Sequence, residues 1–211
     1  MPKVINGTIL AKDCRRLPTE AFFVDTNIII KYKDPFGSSL NNPKEEKLNQ
    51  GISDLLDRIK SAGKKSYTSL SVALEYFKYI QVTSYILYKK SRFAEKNISW
   101  SLKDFKNLRK NGGEFKEYWE SYLKVFKNTF KKNFVIIDKY LNTEEIMEDF
   151  LGENIDFGDH LLYKVSKQLS TISCIFTDDS DFYRINDDNL FLITFNNTIL
   201  KEADSDSNLL F

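Results

Sequence analysis

Two groups of acidic residues stand where they could do chemistry. Asp25 closes the apolar run AFFVD and is followed by Thr26 and Asn27. Asp178, Asp179 and Asp181 follow a second apolar run, in CIFTDDSDF. A single acid at a helix start needs no explanation beyond complementing the helix dipole. Acids at the ends of two strands of one sheet are different, because their carboxylates converge and repel. Such a cluster is costly unless a cation neutralises it or the carboxylates take up protons. Hard oxygen ligands of this kind suit Mg²⁺ or Mn²⁺. A divalent ion so held can activate water and steady charge on phosphate oxygens.

For these groups to meet, the runs that carry them must be strands of one sheet. Residues 21–25 show no period, as expected of a central parallel strand buried on both faces. Residues 171–177 (TISCIFT) and 190–195 (LFLITF) read as clear strands, 64–69 and 134–137 as short ones, and 1–20 as holding an edge strand. Between them lie helical patterns. One runs over 43–62, with Leu48, Ile52, Leu55, Leu56 and Ile59 on one face and Gly63 as its stop. Others are expected at 71–90, 143–151 and 158–169. Strands alternating with helices predict an α/β fold, a central parallel sheet with helices on both faces. Ligands of such sheets sit outside the carboxyl ends of the strands.

The 211 residues suit one domain, with a core over about 22–195 and a loose polar tail at 201–211. An apolar content of 42% excludes a disordered chain. Cys14 and Cys174 are far apart and form neither a disulfide framework nor a zinc pair, which fits a reducing compartment. No apolar run approaches the roughly 18 residues of a membrane span, and the start is a poor signal peptide. The expectation is a cytoplasmic protein without a membrane partner.

Net charge is +1, but residues 86–133 hold 13 Lys and Arg against 5 Asp and Glu, a local balance of +8. This basic middle reads as a helical pair joined near Asn111, Gly112 and Gly113. In its second arm Phe115, Tyr118, Trp119, Tyr122, Phe126 and Phe130 share one helix face, which predicts packed core. Lys103, Lys106, Arg109 and Lys110 are candidate phosphate contacts, with Trp100 available for stacking. The alternatives are a solvated basic face with no ligand and a groove between these helices for a partner protein.

The motifs resemble those of the PIN-domain nuclease family. FFVDTNIII is similar to that family's opening motif and IFTDDSDF to its closing acidic motif. Between them ALEYF supplies Glu75 on a helix and IDFGDHLL supplies Asp159 at a helix start, in the family's order, over roughly residues 22–195. The resemblance implies a PIN-like three-layer fold with a basic helical insertion at about 86–133. It implies Asp25, Glu75, Asp159 and Asp179 as catalytic acids holding Mg²⁺ or Mn²⁺, with Asn27, Thr177 and Asp181 in support. Asp178 stands where the family has a neutral residue. Asp156 lies three residues before Asp159, which is preferred because it opens the apolar helix.

The activity so implied is a metal-dependent nuclease, an endoribonuclease ahead of a DNA nuclease, of a kind that includes toxins of toxin–antitoxin pairs. The candidate partners are nucleic acid, an antitoxin protein and a second copy of the chain. A rival class is a non-catalytic PIN-like module that only binds RNA or protein, expected where the acids are missing. All four are present. Asp25-Thr26-Asn27 is not the Asp-x-Asp of haloacid-dehalogenase phosphatases. The chain also lacks a Walker loop, a GxGxxG turn and a zinc-type His/Cys spacing. His160, the sole histidine, stays outside the catalytic set.

Overall fold

The computed structural model describes residues 1–19, 21–32, 43–93, 103, 107, 114–137 and 155–211. Six strands form one all-parallel sheet: β1 (Lys3–Asn6), β2 (Ala21–Val24), β3 (Lys65–Ser69), β4 (Val135–Ile137), β5 (Ser173–Phe176) and β6 (Leu190–Thr194). Their order across the sheet is β1-β6-β5-β2-β3-β4. Seven described helices accompany them: α1 (Gly7–Leu10), α2 (Thr26–Tyr32), α3 (Pro43–Ser61), α4 (Leu70–Phe93), α5 (Glu114–Asn133), α6 (Phe157–Leu169) and α7 (Asn197–Ser205). This is an α/β fold consistent with three layers.

The central strands are apolar throughout because neither face meets water. All four residues of β5 are buried, as are Phe22, Phe23 and Val24 of β2. That pattern requires helices over both faces. Helix α3 packs on both α1 and α2, and α2 also meets α4. Helix α4 packs on both α5 and α6, α6 covers β2, β3 and β5, and α7 lies against β1. Helix α3 ends where expected, with Gly63 at φ 77° taking the left-handed turn that side chains resist.

The strand order reverses at β2. From there the chain adds β3 and β4 on one side, then returns to build β5 and β6 on the other. The crevice between the carboxyl ends of β2 and β5 is therefore the switch point at which open α/β sheets bind ligands.

Several expectations need correction. The tail from 201 is not loose. Helix α7 carries the chain to Ser205, and the following residues lie along β1, with Val4 N–H donating to Asn208 O (2.9 Å) and Asn6 N–H to Phe211 O (2.8 Å). The expected strand over 171–177 spans only Ser173–Phe176, so Asp178 and Asp179 lie in the loop beyond it and strand alternation does not orient them. Helix α4 runs to Phe93, so the basic middle begins inside a helix of the core. Its aromatic stripe packs as core: Trp119 and Phe130 are buried, and Tyr122 and Phe126 pack against the same cluster. The turn at 111–113 and the helix expected at 143–151 lie outside the described residues. No described helix is long and apolar enough to cross a membrane.

Candidate metal centre

Asp25 follows β2 directly. Its N–H extends the ladder to β5 by donating to Phe176 O (3.1 Å), which fixes its side chain at the switch point. The carboxylate is 4% exposed and accepts from three donors. The Thr177 hydroxyl donates to Oδ2 at 2.8 Å, the Asn27 amide donates to the same oxygen, and Thr26 N–H donates to Oδ1. Burial pushes this carboxyl up to about 7. The bonds from Thr177 and Thr26 oppose the rise, and the charges of Glu75 and Asp179 add to it.

Thr177 and Asn27 do more than cap. The Thr177 oxygen accepts from Asp179 N–H (3.0 Å) and from the Asn27 amide (3.3 Å), while Asn27 Oδ1 accepts from Asp178 N–H (3.2 Å). These two side chains tie the β5 loop to the first turn of α2. The two Asn27 bonds are far from local, since about 150 residues separate the partners.

Asp179 caps the 3₁₀ turn Ser180–Arg184 by accepting from Asp181 N–H (3.0 Å). Asp159 comes from the first turn of α6. Asp159, Asp179 and Asp181 each place a carboxylate oxygen within 4.8 Å of the others. Burial pushes Asp159 up to about 8, reinforced by the charges of Asp25, Asp179, Asp156 and Glu75. Glu75, on α4, is exposed at the rim and accepts from the Thr26 hydroxyl. A Cβ on residue 158 would lie 2.8 Å from Glu75 Oε1, so a side chain there would make the Glu75 carboxylate shift from its place beside Asp159.

Asp178 faces elsewhere. It accepts from Lys31 Nζ (2.6 Å), the Thr194 hydroxyl (2.9 Å) and Phe195 N–H (2.8 Å), anchoring the loop to β6 and α2. Of the expected ligands, Asp159 and Asp179 therefore stand together. Asp25 and Glu75 flank them, and Asp181, expected only in support, completes the closest group. Gly158, Lys31 and Thr26 were missed as site-forming residues. Only the glycine of FGDH carried a sequence signal. Of the candidate phosphate contacts, Lys103 is exposed, while Lys106, Arg109, Lys110 and Trp100 lie outside the described residues.

The donor set suits a hard divalent cation. Five carboxylates share one crevice, and the only cation paired with any of them among the described residues is Arg184, on Asp181 at 3.3 Å. Burial first, and then the neighbouring like charges, raise two of the five carboxyls, Asp25 and Asp159, so their charged forms would gain from a neutralising cation. Comparison with models of known families, with curated proteins and with solved structures finds no match to this chain.

Proposed function

We propose that this chain is a Mg²⁺- or Mn²⁺-dependent nuclease of the PIN-domain type, acting as an endoribonuclease. The supporting observation is the convergence of Asp25, Asp159, Asp179 and Asp181, with Glu75 at the rim, on the switch point of a parallel sheet. Asp159, Asp179 and Asp181 would hold the ion, which supplies a nucleophile at neutral pH and charge stabilisation for the phosphate.

The chain's own residues divide the remaining work. Asp25 sits behind the triad in a fixed orientation, because its three donors come from the first turn of α2 and the loop after β5. Thr177 and Asn27 hold that carboxylate and the Asp179 backbone in one frame, so the ligands cannot drift apart. Glu75, fixed by Thr26, is placed to orient water or take a proton at the solvent side of the crevice. Exposed Lys116, Lys124, Lys127, Lys131 and Lys132 on α5 give a basic face that attracts a polyanion.

A second reading, a binding module that engages a protein such as an antitoxin, is favoured by one observation. Leu70, Leu74, Val82 and Ile86 recur at multiples of four along α4 and are all exposed, Leu74 by 60%. One experiment separates the two. Purified protein is incubated with single-stranded RNA, single-stranded DNA and duplex DNA, each with Mn²⁺, Mg²⁺ or EDTA, beside Asp179→Asn. The nuclease reading expects metal-dependent cleavage of RNA and a loss of more than about a hundredfold in the variant. Intact substrates under every condition would leave only the binding module, and equal cleavage by Asp179→Asn would remove this carboxylate cluster as the source of the activity.

A further inference from the structure

A cavity of about 500 Å³ opens at the same carboxyl edge of the sheet, beyond the ends of β1 and β6. Strand β1 lies two strands from β5, so this cavity stands roughly 10 Å along the edge from the acidic crevice. Its walls come from the turn after α1, the inner half of α3 and the loop after β6. Four cations line it, Lys12, Lys44, Lys47 and Arg58, against one acid, Asp54, which already accepts from Gln50 (2.7 Å). Among the described residues neither Lys12 nor Lys47 has an ion-pair partner. Leu48 and Phe195 supply an apolar floor.

Gly51 faces this space from the middle of α3, where glycine is the least favourable residue apart from proline. A Cβ there would meet the Phe195 ring at an ordinary 3.5 Å, so packing does not demand a glycine. What the missing side chain does is keep the cavity open. The floor is also tied to the acidic crevice. Phe195 N–H donates to Asp178, the neighbour of Asp179, and Lys31 holds the same carboxylate.

An acidic crevice beside a cationic cavity with an apolar floor suits a chain of alternating phosphates and bases. We infer that the cavity takes a nucleotide unit of the strand bound at the acidic crevice, its base over Leu48 and Phe195 and its phosphate among Lys12, Lys47 and Arg58. This rests on the nuclease reading for its substrate, and it places a second point of attachment for the strand away from the basic middle. The cavity supplies attraction that the acids cannot, since unneutralised carboxylates repel phosphate.

The test measures affinity for a short single-stranded RNA and for a ribonucleoside monophosphate, in EDTA over a range of salt concentrations. Wild type is compared with Lys47→Glu and Gly51→Leu, with folding checked by circular dichroism and Mn²⁺-dependent cleavage assayed in parallel. Both variants are expected to weaken oligonucleotide binding by about tenfold. Lys47→Glu should also flatten the salt dependence by about 0.7 in log–log slope, the counterion release of one phosphate on a single strand. Should Gly51→Leu misfold, the surface change Lys47→Glu carries the test alone. Unchanged affinity and slope overturn the inference. So does an oligonucleotide held no more tightly than the mononucleotide, which would assign the cavity to free nucleotides. Cleavage by wild type with insensitive variants removes the cavity and leaves the nuclease. Variant-sensitive binding without any cleavage keeps the cavity and removes the nuclease.

Discussion

Glu75 and Tyr76 are neighbours on α4 and live in opposite surroundings. Glu75 stands exposed at the rim of a crevice of carboxylates, whereas Tyr76 is fully buried in an aromatic seam between α4 and α5. In the seam, ring centroids lie 5.6 Å apart for Tyr76 and Phe130, 5.0 Å for Phe126 and Phe130, and 5.8 Å for Phe77 and Trp119. Burial there stabilises, because apolar area leaves water and rings meet at favourable separations. In the crevice, burial works against the charged forms of Asp25 and Asp159. One helix thus carries the residues that hold the fold together and, a single position away, a member of a cluster that the fold must hold against repulsion.

The largest expected effect lies on the seam. Phe130→Ala should cost about 3–5 kcal/mol of folding stability by urea denaturation while leaving metal affinity unchanged. A loss below about 1 kcal/mol would mean that the seam is not the stabilising partner in this comparison.

The crevice should answer in two opposite ways. Asp25→Asn turns an amide donor toward groups that are themselves donors, and should cost about 1–3 kcal/mol. Asp159→Asn removes a like charge and should raise the melting temperature of the metal-free protein near pH 8. The sign follows from the raised carboxyls. Folded Asp25 and Asp159 keep their protons up to about 7 and about 8, while the unfolded chain releases them near the ordinary value of 3.8. Their contribution to stability is full at acidic pH and is lost as pH rises through the folded values. Without metal, stability from these groups therefore falls between about pH 4 and pH 8, and Asp159→Asn should flatten the fall. A steeper fall in that variant would remove charge repulsion as the cause.

The smallest effect sharpens the same contrast. Mn²⁺ bound as proposed would have to displace protons from the crevice, so its stabilisation of the fold should be larger at about pH 8.5 than at about pH 6. Thermal shifts in both buffers check this. Phe130→Ala should preserve the difference between the two pH values, and Asp159→Asn should reduce it.

The elements at the centre were legible because their causes are local. A both-faces-buried strand has an aperiodic apolar run, which is why β2, β5 and β6 and the acids behind them could be read from composition alone. Helix α3 carried its own stop signal in Gly63. What escaped reading depends on partners far away in the chain. Asp178 and Asp179 are chemically identical neighbours, and only Lys31, Thr194 and Phe195, brought in by other elements, turn one of them aside. Asp181 joins the closest carboxylates because a 3₁₀ turn, rather than a continuing strand, follows β5. The cationic cavity draws on residues 8–12, 44–58 and 195–197 and has no signature in any of these segments alone. Residues 201–208 are mostly polar, and the short run Leu209–Phe211 that pairs in parallel with β1 carries no alternation or length that marks a strand.

That last pairing bears on how the molecule behaves in a crowd. The outer margin of a sheet is a row of unsatisfied donors and acceptors, a template onto which another chain can add itself. At β1 the row is already taken: Asn208, Leu210 and Phe211 meet the backbone of Val4 and Asn6, and Leu209 bridges to Val4. Removing those few residues would leave the acidic crevice untouched and still bare Val4 N–H, Val4 O and Asn6 N–H at the margin of the sheet. Residues 208–211 thus act as a selvedge, and their loss would show first as self-association.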